Sequence, residues 1–465
     1  MDNLVPVHVG LMGHIDHGKT ALAKVLSEKV STAGLDRHPQ AQKRGITIDL
    51  GFTMFVLDNY LVTLVDAPGH ADLIRSVVAG ANIIDAAILV VAADEGPKVQ
   101  TGEHLVVLQT MGVEKILVAV TKTDLVPSSK LVNVEEKIRL ILAETSFANA
   151  KIVRVSALKE DGIDELKSTL LQILTPRPRN PEGPLSIPID HAFPVKGHGT
   201  VVTGTIQSGT IRLGDVVELS PLGKKCRIRS IQTFSENRES ASAGDRVGVN
   251  IPEISDAEIT RGDYLCTPTS MTKASGLITR LDVNPFYKGR ITKRMTVSVS
   301  AGMPVVTGQI IPFKVIDEAK VVQDMIETQE FDAALLLQKP VAITKRTKVL
   351  LLRTDLPPTQ MRIVGSGEVV DIPDKMILSR PRTRVGRVQR IREKDVLVES
   401  LASKKEIAER LVGSKVTTNG GVVGIIKQTF GTRGVVSVEF KGSVKESEQV
   451  TYQRVTEEEY KFGQG

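Results

Sequence analysis

At 465 residues the chain exceeds the roughly 250 at which a single core stops growing, so three or four domains are expected. With 41% apolar and 25% charged residues it is neither disordered nor fibrous, and no apolar run approaches the roughly 20 residues that span a bilayer. The formal charge of +6 is unevenly placed, since residues 375–465 hold 18 Lys and Arg against 11 Asp and Glu while the rest of the chain is nearly balanced.

The opening MDNLVPVHVGLMGH enters a strand without the apolar stretch and cleavage site of a signal peptide, which predicts a cytoplasmic protein without membrane contact. From Val5 to about Leu174, short apolar runs (VHVGLM, LVTLV, AAILVV, KILVAV, KIVRV) alternate with helical patterns such as 20–30 and 163–174. That alternation predicts a parallel sheet covered by helices on both faces, residues 1–178. The Pro-rich TPRPRNPEGP at 175–184 ends it, because Pro at that density cannot continue a helix.

Within this first domain, GHIDHGKT at 13–20 matches the phosphate-loop pattern directly after a strand and before a helix. Gly13, His14, Asp16, His17 and Gly18 form a turn whose backbone N–H groups face the phosphates, while Lys19 reaches the terminal phosphates and Thr20 ligates Mg²⁺. Asp66 closes LVTLV and opens DAPG, where its carboxylate holds the Mg²⁺ shell and the Gly69 N–H contacts the γ-phosphate. Between them KRGITID offers Thr47 as a second Mg²⁺ hydroxyl.

TKTD at 121–124 follows the next strand. The Asp124 carboxylate can accept from both N1–H and N2–H of guanine, donors that adenine lacks, so GTP and GDP are preferred over ATP. Lys122 is placed over the base, and Ser156, Ala157 and Leu158 after KIVRV complete the guanine pocket.

Beyond the linker the pattern changes to short Val-, Ile- and Thr-rich runs between Gly and Asp turns, as in GTVVTGTIQSGTIRLGDVVEL. This predicts one β-barrel over 184–270, a second over 271–371, and a small basic β-rich domain over 375–465 with a helix near 404–412. Cys226 and Cys266 lie far apart with no CxxC pair, so buried reduced thiols are expected and not a zinc knuckle or a disulfide.

In the last segment Arg380, Arg382, Arg384, Arg387, Arg390 and Arg392 fall within 13 residues with no acid among them, a density suited to RNA phosphates or to a solvated strand face. Phe430, Tyr452 and Tyr460 are the main aromatic candidates, too few for an extended base-stacking platform.

GHIDHGKT, RGITID and DAPGH together resemble the G domain of translational GTPases, the class of elongation factor Tu and the γ subunit of initiation factor two. The resemblance implies a multidomain chain: an α/β P-loop GTPase domain, two β-barrels that hold the aminoacyl end of tRNA, and a fourth domain. It also implies that His70 of DAPGH orients the attacking water, making it the catalytic residue of a GTPase, with the ribosome as trigger.

Thr121 departs from the class, which has Asn there; the amide that braces the phosphate loop is expected to be missing, with looser nucleotide and exchange without a dedicated factor. Asp190 and His191 in PIDHAFPVKGHGTVVTGTI, Arg246 in GDRVG, and QTFGTRGVVSVEF at 428–440 resemble the archaeal selenocysteine-specific elongation factors. In that likeness Asp190, His191 and Arg246 form the aminoacyl pocket. A selenol is ionised at neutral pH, so a fixed Arg and a protonatable His reward it over serine or cysteine.

The implied partners are aminoacyl-tRNA, in particular selenocysteinyl-tRNA, the ribosome, and an mRNA insertion element or a protein that binds it, with the factor acting as a monomer. Other readings are a paralogue carrying a different aminoacyl-tRNA, an initiation-factor γ-like GTPase, the GTPase of sulfate activation, or a non-hydrolysing nucleic-acid scaffold.

Overall fold

A computed structural model describes residues 4–27, 29–30, 51–66, 83–197, 199–234, 236–357, 359–431 and 434–462. The chain forms two compact units, one of residues 1–311, 325–374 and 462–465, the other of 312–324 and 375–461.

The first unit begins with a seven-stranded sheet. Its strands are β1 (Val5–Met12), β2 (Lys29–Val30), β3 (Gly51–Leu57), β4 (Tyr60–Asp66), β5 (Ala86–Ala92), β6 (Lys115–Thr121) and β7 (Lys151–Arg154), in spatial order β2-β3-β4-β1-β5-β6-β7. From β4 to β7 the ladder is parallel, and β3 is antiparallel to β4. Parallel strands joined by crossover helices are covered on both faces, so they carry continuous apolar runs; all of AAILVVA in β5 is buried.

Helices α1 (Lys19–Leu26), α2 (Val99–Thr110), α3 (Ser128–Ala143) and α4 (Ile163–Ile173) provide the cover. One core takes Val7, Val9 and Leu11 with Leu22, Leu166 and Leu170; the opposite one takes Met12, Phe52 and Leu89 with Leu105, Leu108 and Leu142. Asp164 and Glu165 in the first turn of α4 complement its dipole.

The same unit continues with two antiparallel β structures. In the first, an eight-stranded sheet encloses Ile187, Ile189, Val202, Leu219, Val249 and Leu265. Its Gly-Asp turns use one device three times: the carboxylates of Asp215, Asp245 and Asp263 accept the N–H of Arg212, Ser242 and Thr260, each at 2.8 Å. Cys226 and Cys266 are both free and buried here.

The second is a six-stranded barrel closed where Met295–Ala301 pairs with both Val305–Ile316 and Lys348–Leu352. A buried ion pair ties it to α2: Arg362 donates to Glu103 at 3.0 and 2.5 Å, both side chains being almost fully enclosed.

The second unit is another closed barrel. Met376–Ile391 pairs with Val396–Glu399 on one side and Gln449–Tyr460 on the other, and Lys405–Glu409 forms a short helix. Residues 312–324, from the stretch read as the third domain, group here as a hairpin whose Val321 pairs with Ser379.

Candidate functional site

The phosphate-loop residues leave the end of β1, Asp66 ends β4, Thr121 ends β6 and Ser156 follows β7. These are the carboxyl ends of parallel strands, where ligands bind in doubly wound sheets. Gly18 has φ 86° and starts α1 with no side-chain cap, so the first N–H groups of the helix remain available to an anion. A Cβ on Gly13 would lie 2.2 Å from the Val90 carbonyl oxygen; only glycine lets the loop close down on β5.

Lys19 is buried and its Nζ donates to the Gly13 and His14 carbonyls at 3.0 and 2.8 Å, spanning the loop's concavity. Burial lowers its pKa to about 8 against the pull of Asp66 and Asp16. A phosphate in the loop supplies the missing negative charge. Thr20 Oγ1 donates to Asp66 Oδ2 at 2.8 Å, so one hydroxyl and one carboxylate already share a point where Mg²⁺ would be held. Loop, lysine and Thr20–Asp66 pair thus fit a magnesium nucleotide.

At the base pocket, Ser156 Oγ donates to Asp124 Oδ1 at 2.6 Å and holds that carboxyl below its ordinary range. Lys122 adopts φ 56° and its Nζ lies 3.3 Å from Asp94, while Leu158 is exposed. His17 is buried with Nδ1 3.3 Å from the Val90 carbonyl, and burial depresses its pKa to about 4; its ring meets that of His14 edge-on. Asp16 sits exposed at φ 60° in the turn. Thr47, Gly69 and His70 lie outside the described residues.

The amide expected to be missing at 121 is replaced by a hydroxyl that also reaches the loop: Thr121 Oγ1 donates to the His17 carbonyl at 2.6 Å in a buried contact, so the loop keeps one brace from β6.

The second constellation is brought together by the first barrel-type sheet. Ile189–His191 and Arg246 lie on strands that both pair with Gly199–Thr205. Asp190 accepts from Arg246 Nη1 at 2.6 Å and Nη2 at 3.1 Å, from Thr203 Oγ1 at 2.6 Å and from His191 Nδ1 at 2.8 Å. Burial would push the Asp190 carboxyl up, but the Arg246 charge and these hydrogen bonds outweigh it and hold the carboxyl well below the usual carboxylate range.

The side chains of Asp190 and Arg246 are 1% and 4% exposed, and that of His191 26%. Arg246 also stacks on Phe52 of β3, with its guanidinium carbon 3.3 Å from the ring centroid. The three residues expected to form the aminoacyl pocket therefore do meet, but Arg246 has its fork turned into Asp190 and its face against Phe52. Neither Phe52 nor Thr203 carries any signal in the sequence that would single it out.

Comparison with known proteins identifies the family. Residues 6–176 match the elongation factor Tu GTP-binding domain, 199–266 elongation factor Tu domain 2, and 272–373 domain III of the archaeal selenocysteine-specific elongation factor. The selenocysteine-specific elongation factor of Methanocaldococcus jannaschii is 40% identical over 97% of both chains, and that of Mus musculus 31% over 95% of this chain and 89% of its own. The crystal structure of translation elongation factor SelB from Methanococcus maripaludis with the GTP analogue GppNHp superposes with a TM-score of 0.79 at 36% identity, covering 97% of this chain and 99% of that one.

The chain belongs to the selenocysteine-specific elongation factors, in their archaeal form.

This elongation factor is accordingly a translational GTPase that binds GTP and GDP. Among its described residues no helix is long and apolar enough to cross a membrane. Its arginine cluster is only partly a surface feature. Arg392 is held by Asp395 at 2.7 and 2.5 Å and lies 4.8 Å over the Phe430 ring, and Arg384 donates to the Leu401 carbonyl. Arg380, Arg382, Arg384, Arg387 and Arg390 are exposed, and the register places Arg454 directly opposite Arg382, a like-charge pair that favours a polyanion. Tyr452 and Tyr460 are buried, which removes them as stacking candidates.

Proposed function

We propose that this elongation factor carries selenocysteinyl-tRNA to the ribosome in its GTP form and leaves after hydrolysis. The observation that carries this reading is a guanine-nucleotide loop and an Asp190–His191–Arg246 constellation within one compact unit, joined by the stack of Arg246 on β3. Residues 1–178 act as the switch, 184–270 and 271–371 as the cargo-holding barrels, and 375–465 as the basic RNA-facing domain.

In the switch, loop N–H groups and Lys19 bind and orient the phosphates, while Asp124, supported by Ser156, selects guanine. Thr20 and Asp66, with Thr47, would hold Mg²⁺, which when bound would offset phosphate charge. Gly69 contacts the γ-phosphate and His70 orients water. In the barrel, Asp190 holds His191 and Arg246 before cargo binds, and their exchange of Asp190 for an ionised selenolate favours it over a neutral hydroxyl or thiol. The exposed ribbon of Arg380, Arg382 and Arg454 contacts RNA phosphates, either of the tRNA or of an mRNA element.

The test is protection of the aminoacyl ester from hydrolysis with a GTP analogue bound, comparing selenocysteinyl, seryl and cysteinyl forms of one tRNA. Strong preference for the selenocysteinyl form is expected; equal protection of all three would make the cargo assignment wrong.

A further inference from the structure

In the first unit a cleft of about 880 Å³ lies between the α/β domain, its Pro-rich linker and both of the later β structures. Its charged lining is Lys115, Arg177, Arg179 and Lys348 against Asp85 and Glu114. Asp85 is already committed. It accepts from Arg179 Nη2 at 2.8 and 2.7 Å and from the backbone N–H of His8 and Arg177 at 2.7 and 2.9 Å. Three cations then share one remaining carboxylate.

Arg177 Nη2 donates to the Met111 carbonyl and Lys348 Nζ to the Thr110 carbonyl, both at 3.4 Å. These carbonyls end α2, so helix capping is the plain account of the two side chains. It is incomplete. Capping uses one of five guanidinium N–H groups and one of three ammonium N–H groups, and sets about half a negative charge against two full positive ones. Burial, and after it the neighbouring Arg177 charge, lower the Lys348 pKa. Gly112 makes room for the ammonium, since a Cβ there would lie 2.5 Å from Lys348 Nζ.

We infer that this cleft is a second phosphate-binding site that takes a small polyphosphate anion between Arg177, Lys348 and Lys115. It is separate from the GTP loop. Asp85 precedes β5 and Lys115 begins β6, whereas the loop sits at the other end of those strands, about 20 Å away for a seven-residue strand. An anion held there bridges the switch domain, the linker and the second barrel.

Calorimetric titration of inorganic pyrophosphate into full-length protein saturated with GDP and excess Mg²⁺ tests the site. One saturable site is expected, weakened at least tenfold by Lys348→Glu and by Arg177→Met, with Lys348→Glu keeping the parent melting temperature. No saturable binding, binding indifferent to Lys348→Glu, or binding displaced by further GDP would each overturn the inference. A 5′-phosphorylated RNA hairpin is the second arm: competition with pyrophosphate makes an RNA terminus the natural phosphate source, and absence of competition leaves a free polyphosphate, either result supporting the site.

Discussion

The nucleotide loop and the Asp190–Arg246 pair are both buried polar sites, and they are built on opposite plans. The loop is eight consecutive residues whose shape comes from glycine and a strand end, and its lysine falls back on backbone carbonyls at 3.0 and 2.8 Å. The pair joins residues 56 apart, roofed by Phe52 from a different domain, and its charges already satisfy each other. A site completed by ligand must be held open by backbone. A site complete in itself stands without ligand and must exchange partners to work.

The strongest way to break that contrast is Arg246→Met. It leaves the Asp190 carboxylate buried without its cation, and a cost of about 3–5 kcal/mol in urea unfolding is expected. The double variant Asp190→Leu, Arg246→Met should recover most of that stability while losing selenocysteine preference. A single-variant cost under about 1 kcal/mol would show that water reaches Asp190 and that the pair is not closed.

Gly13→Ala attacks the other plan. The added Cβ meets the Val90 carbonyl at 2.2 Å, so about 1–3 kcal/mol of strain is expected, with GDP affinity reduced more than tenfold by fluorescent-nucleotide titration. Unchanged affinity would mean that the loop can relax away from β5.

Acid sharpens the comparison between loop and surroundings. Burial depresses His8 and His17 to a pKa of about 4 and His104 to about 3, and His8 Nδ1, His17 Nε2 and His104 Nδ1 have no hydrogen-bond partner among the described residues. The unfolded chain binds these protons near pH 6.5 and the folded one only near pH 4 or below. Stability is therefore full above pH 6.5 and falls as pH drops toward 4, by about 2 kcal/mol for each imidazole at pH 5. Denaturant midpoints measured at pH 7 and pH 5 check this, and His104→Gln should flatten the slope.

The smallest effect is expected from Thr121→Val, which deletes the hydroxyl bracing His17. Loss of one buried hydrogen bond, about 1 kcal/mol, should speed GDP release several-fold in stopped flow. An unchanged release rate would mean that the brace does not bear on nucleotide.

Much of the first plan was legible. Gly13, Lys19, Thr20, Asp66 and Asp124 each follow or end an apolar strand, and strand ends of a parallel sheet converge, so spacing alone brought them to one edge. Thr121 was legible as a departure but its consequence was not, because whether a shorter side chain still reaches a carbonyl depends on how closely β6 approaches the loop. The arginine cluster misled in part: the count within 13 residues was visible, and so was Asp395, which captures Arg392 from three residues along the same turn, whereas the burial of Tyr452 and Tyr460 arises from barrel closure.

By itself the sequence determined the α/β switch, its nucleotide chemistry and the β character of the later domains, since those rest on local periodicity and on contiguous motifs. Tertiary structure alone decided that Arg246 stacks on Phe52, that Glu103 finds Arg362 across 259 positions, and that residues 312–324 join the C-terminal unit. Those outcomes are set by which strands pair and which faces are buried together. Such choices are made by the free energy of the whole fold, and no local stretch of sequence records them.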